Sequence, residues 1–155
     1  MFKNVLFAVQ EALANVPGVA YIAKDWGQLD VYTDAPPVEF PCVLIDVQMA
    51  NYADRGRHSQ QGEAFLIIRV AVDKPVNAFA GDPPFLIFDL LTDIYKVLQG
   101  LSGTAFSRLT RTKLRKTVHT NAIRETVMTF RFGFVDDSAL LRMHPITAGA
   151  HIILR

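Results

Sequence analysis

The chain has 155 residues, half of them hydrophobic and a fifth charged, with a net charge of +1. A chain of this length can bury a core without disulfides or a structural metal, and this composition excludes disorder as a description of the whole. No unbroken apolar run exceeds five residues, which excludes a membrane-spanning helix, and the start MFKNVLFAVQEAL lacks the apolar stretch of a signal peptide. The single cysteine, Cys42, allows no intrachain disulfide and no cysteine-based zinc site. One unpaired cysteine also points to a reducing compartment.

Phe2, Val5, Leu6, Val9, Leu13 and Val16 recur at helical spacing, so residues 2–16 read as an amphipathic helix that Pro17-Gly18 stops. Val19–Ile22 reads as a short strand. Residues 25–41 are rich in turn formers and read as a long loop, with an extended piece at Leu29–Tyr32. Residues 41–50 read as a strand, with Val43, Ile45, Val47 and Met49 on one face and Leu44, Asp46 and Gln48 on the other. Asn51–Glu63 is polar and aperiodic, and the expectation is a mobile loop joining two arms of a hairpin. The second arm, Phe65–Val72, puts Leu66, Ile68, Val70 and Val72 on one face, while Arg69 breaks the other.

Residues 73–81 read as a linker. Asp82 then caps a second helix over 85–99, with Pro83 at its first position and Phe88, Leu91, Ile94, Tyr95 and Leu98 as its stripe. Residues 106–117 alternate poorly, with Leu109 and Leu114 among cations. Residues 122–136 read as a long strand that stacks Met128, Phe130, Phe132 and Phe134 on one face, enough apolar surface to cover both helices. Residues 138–155 are apolar and read as an arm or an added strand. Strands come in adjacent pairs, which gives a single α+β domain over 1–155: an antiparallel sheet of four to five strands covered by two helices.

No catalytic constellation appears. The histidines (58, 119, 144, 151) lack metal-ligand spacing, there is no nucleophile elbow and no phosphate-binding glycine loop. Cys42 reads as a buried, inert thiol and Asp136-Asp137 as turn residues. Asp89 and Asp93 read as a solvated helix face. The expectation is therefore no enzyme, no cofactor and no metal.

Charge is unevenly spread. Residues 1–50 hold two cations and six acids, whereas residues 104–155 hold nine cations and three acids. Five of those cations, Arg108, Arg111, Lys113, Arg115 and Lys116, crowd into nine residues. They read as an assembly surface or a lumen wall, with Arg111, Lys113 and Arg115 sharing a strand face, Leu114 pointing inward, and the acids Asp25, Asp30 and Asp34 of another copy as complement. Without interleaved aromatics the stretch does not read as a single-strand stacking platform. Asp54, Arg55, Arg57 and His58 of the polar loop read as a partner-binding segment.

Taken in order, the N-terminal helix, the Pro-rich loop, "FPCVLIDV" (40–47), the polar loop, "AFLIIRVAV" (64–72), "FDLLTDIYKVL" (88–98) and "ETVMTFRFGFVDD" (125–137) resemble the tail terminator, or tail completion, proteins of long-tailed bacteriophages and prophages. The resemblance covers residues 1–137 in order of elements and not through a sharp motif. It implies a small α+β subunit that assembles into a homohexameric ring, caps the tail tube, ends its polymerisation and presents the head-joining surface. It also implies a tail-tube protein and head–tail connector proteins as partners and a place in the virion tail after assembly in the host cytoplasm, while the basic stretch, if it faces a lumen, would meet passing DNA without reading its sequence, and nothing in the sequence points to a membrane partner. Three other readings compete: a head–tail connector ring, a nucleic-acid-associated binding module, and an enzyme whose site assembles from distant residues.

Overall fold

A computed structural model describes residues 1–32, 34–73, 86–118 and 123–143. The elements in chain order are α1 (Phe2–Leu13), β1 (Tyr21–Lys24), α2 (Gln28–Val31), β2 (Cys42–Gly56), β3 (Ser59–Val72), α3 (Leu86–Leu98), β4 (Thr110–Val118) and β5 (Arg124–Asp136), followed by a 3-10 segment, Ser138–Met143. The strands form one five-stranded sheet in the order β1-β2-β3-β5-β4, antiparallel except where β1 runs parallel to β2. The fold is α+β, as the pairing of strands implies.

The core lies between one sheet face and the two long helices. Val5, Val9 and Leu13 of α1 and Leu90, Leu91, Ile94 and Leu98 of α3 pack onto Val43, Ile45, Leu66, Ile68, Val70, Met128, Phe130 and Phe132. The expected period-two face of β5 is real: Phe130 is fully buried and Phe132 is 1% exposed. Phe134 continues the row and meets Phe2 edge-on, with ring centroids 5.5 Å apart. Each such aliphatic or aromatic side chain contributes about 1.5–3 kcal/mol on burial. A smaller cluster, Leu29, Cys42, Leu44, Ala71 and Ile123, occupies part of the opposite face.

Several expectations are corrected. Asn51–Glu63 is not a loop: β2 and β3 stay paired through Asn51↔Glu63, Ala53↔Gln61 and Gly56↔Ser59, and only Arg57 and His58 form the turn. The segment is polar because both its faces meet solvent, so apolar alternation could not announce it. β5 also pairs with β3 as far as Gln60↔Asp136, which supports the hairpin to its tip. Gly62 is needed there, since a Cβ would come within 2.0 Å of the Asn51 carbonyl oxygen and 2.7 Å of the Phe134 ring.

Leu29 lies in the one-turn helix α2, not in an extended piece. Met49 does not share the Val43–Val47 face: it sits at a bulge with φ of 52° and is 70% exposed. Phe88 is 61% exposed, and Leu90 takes its place in the α3 stripe. Leu114 is 53% exposed on the edge strand, not turned inward. The linker 74–81 and the residues Asp82, Pro83 and Phe85 lie outside the described residues, as does the C-terminal stretch from His144 onward. No described helix is long and apolar enough to cross a membrane.

Candidate assembly surface

The sheet face turned away from the helices carries a groove of about 600 Å³ between the 25–30 segment and β4, lined among others by Trp26, Asp46, Arg69, Lys113, Arg115 and Glu125. Its floor follows from strand alternation. Arg69 interrupts the apolar run of β3 on the side opposite Ile68 and Val70, and this aims the guanidinium into the groove. There it donates to three carboxylates: Nη1 to Asp25 Oδ2 at 2.9 Å, Nη1 and Nη2 to Asp30 at 2.8 Å each, and Nε to Glu125 Oε1 at 2.5 Å. Glu125 is 1% exposed. A carboxylate so enclosed requires a cationic partner, because desolvation would otherwise strongly disfavour it. The hydrogen bonds to Asp30, then those to Glu125 and Asp25, outweigh desolvation and raise the Arg69 pKa above its ordinary value.

The same network fixes the approach to α2. Asp25 Oδ1 accepts from the Gly27 N–H at 2.9 Å, and Gly27 adopts φ of 93°, a conformation that favours glycine. The fully buried Gln28 accepts the Trp26 N–H at 2.8 Å and donates to the Lys24 carbonyl at 3.1 Å. This clamp holds Trp26 57% and Tyr32 47% exposed, edge-on at 6.1 Å. Rigid exposed aromatics beside charged groups are typical of interface anchors.

The five cations of the basic stretch are all exposed, but they do not share one face. The register shifts between Arg111 and Lys113, and that bulge divides them. Arg111 lies opposite Phe130 on the helix side, its guanidinium 4.0 Å from the centroid of the Tyr95 ring, and its N–H donates to Gln99 Oε1 at 3.0 Å. Lys113 and Arg115 line the groove on the other side. Lys116 is exposed on the strand next to them, and Arg108 precedes the strand beside the buried Leu109. Two of the acids expected to meet these cations from another copy, Asp25 and Asp30, are bound to Arg69 within the chain.

Asp54, Arg55 and Arg57 are exposed at the hairpin end and His58 is half-buried. The acids there are tied down: Gln60 donates to Asp54 at 3.0 Å, Ser59 to Asp137, and the Ser138 N–H to Asp136 at 3.1 Å. Hydrogen bonds from the Ser138 side chain and backbone hold the Asp136 carboxyl below its ordinary value. The structure thus keeps the tip and the basic strand at separate places on the sheet. Among the described residues no group of His, Cys, Asp and Glu is placed to hold a metal ion. The Arg69 cluster escaped sequence reasoning, although one signal was available: Arg69 is the sole charge within Phe65–Val72.

No model of a known protein family matches the chain, and no curated protein matches it in sequence. By shape it is similar to a chain in the virion of a native gene transfer agent particle, with a TM-score of 0.55 and 13% identity, over 85% of this chain and 95% of that one. The two chains share a fold.

Proposed function

We propose that this chain is a structural subunit of a phage-like virion, a tail terminator that forms a homohexameric ring on the tail tube, ends its polymerisation and offers the surface to which the head is joined. The observation that carries this reading is the fold shared with a virion chain across 85% of the present sequence. The arrangement of the surface supports it. The surface presents exposed aromatics at Trp26 and Tyr32 on either side of α2, a charged hairpin end at 54–58 and a basic strand at 111–116, all of which suit contacts between subunits better than turnover of a small molecule. The protein's work is then assembly and not catalysis. Its partners are other copies of itself, the tail-tube protein and the head–tail connector, in the virion tail once assembled and in the host cytoplasm before. Cations on a lumen wall would meet passing DNA through its phosphates without reading its sequence.

The test is to mix the purified chain with polymerising tail-tube protein and examine the tubes by electron microscopy. One ring at a single end, with growth arrested, is the expected result. A ring that binds connector components but leaves tube growth unchanged would assign the chain to the connector instead.

A further inference from the structure

Among the described residues the sheet has two open edges, and they differ in chemistry. On one side β1 covers β2 only from Cys42 to Ile45, so among the described residues the rest of β2 has no strand beside it. From Gln48 to Ala53 that edge carries no charge, and Met49 and Tyr52 on it are 70% and 47% exposed. The Met49 bulge interrupts the start of this edge, and beyond it Ala50–Ala53 lacks Lys, Arg, Pro and any further bulge, which makes it a template for strand addition. Asp46, bound to Lys24 at 3.3 Å, and Asp54, followed by Arg55, bracket it, and Glu63, 3.6 Å from Arg131, lies across from Asn51. On the other side β4 is the last strand among the described residues. Gln99 takes up the N–H of Arg111, and past the bulge the edge runs from Lys113 to Val118 with Lys113, Arg115 and Lys116 exposed along it.

Like charges placed opposite one another across strands are destabilising, and opposite charges favour pairing. Pairing β4 with β4 would set cations against cations. Pairing β2 with β2 would bring its bracketing aspartates together. Pairing β4 with β2 joins a basic strand to one that carries no cation from Gln48 to Asp54. Because the two edges lie on opposite sides of one sheet, this contact is heterologous and repeats from copy to copy, closing a ring when the rotation permits.

We propose that the β4 edge of one copy, Lys113–Val118, adds to the β2 edge of the next, Ala50–Asp54, and that this strand addition is the contact that builds the ring. The inference rests on the ring reading and specifies its interface.

The experiment uses the full chain, with sedimentation velocity for assembly and circular dichroism for fold. Asn51→Lys with Ala53→Lys sets cations against cations, and Lys113→Glu with Arg115→Glu sets acids against acids. Each double variant should keep the wild-type circular dichroism and need at least tenfold more protein to assemble. Combining all four substitutions should restore assembly. If the Asn51 and Ala53 pair loses the folded signal, Ala53→Lys alone replaces it. If the free wild type is a monomer, the same series is read as retention on tail tubes. Double variants that assemble like wild type, or a combination no better than either double, overturn the edge contact and leave the ring reading standing. A wild type that forms no ring, free or on tubes, overturns both.

Discussion

Arg69 on β3 and Glu125 on β5 meet diagonally across neighbouring strands, with Nε 2.5 Å from Oε1 and the carboxylate 1% exposed. The pair lies on the sheet face away from the helices and ties the 25–30 segment to the sheet through Asp25 and Asp30. Removing the cation leaves an enclosed carboxylate without its main counter-charge. Arg69→Met should therefore cost about 3–5 kcal/mol in a urea titration. A loss below about 1 kcal/mol would mean that the network is dispensable for the fold.

Cys42 is fully buried at the start of β2, and desolvation, foremost among the causes, pushes its thiol up to about 11. The unfolded thiol ionises near 9, so between those values the unfolded chain releases a proton that the folded chain keeps. Stability from this group is complete below pH 9 and falls by about 1.4 kcal/mol per pH unit up to the folded value. Thermal midpoints of the wild type and of Cys42→Ala, measured from pH 8 to 11, should converge as the pH rises. Parallel curves would contradict the burial of the thiol.

Phe130 and Phe132 sit at the centre of the interface between sheet and helices. Truncating either to alanine should cost about 3–5 kcal/mol, read from the denaturant midpoint, because the helices cannot fully collapse into the space left. Retention of wild-type stability would place this face in solvent.

These phenylalanines show what the sequence discloses. A face that is wholly apolar at period two has one packing solution, and helices with a narrow apolar stripe have one way to lie on it. The distal hairpin was hidden for the converse reason: Asn51–Glu63 is held mainly by backbone ladders with most of its side chains in solvent, and only Tyr52 and Gly62, both against Phe134, betray the packing. The arrangement of the cations was hidden because it turns on one extra residue at Thr112, which sends Arg111 to the helix side and Lys113 to the groove. No local propensity encodes that shift. The Arg69 cluster joins residues far apart in the chain, and only the sheet register brings them together.

Replacing Arg111, Lys113 and Arg115 together by glutamate should leave the subunit folded, since all three are exposed and surface charges contribute little to stability. Loss of the Arg111 contact with the Tyr95 ring should cost about 0.5–1 kcal/mol. Assembly and joining of tails to heads should fail. Folding is read by circular dichroism and joining by an in vitro tail-joining assay. A variant that is folded and joins normally would reduce the basic strand to a solvated edge.

The most direct measurement of the central claim is electron microscopy of particles made without this chain. A protein that caps the tail tube and ends its growth predicts tubes longer than the set length, with free ends and unjoined filled heads, and restoration of uniform tails when the wild-type chain is supplied. Tails of normal length joined to heads in its absence would contradict the account.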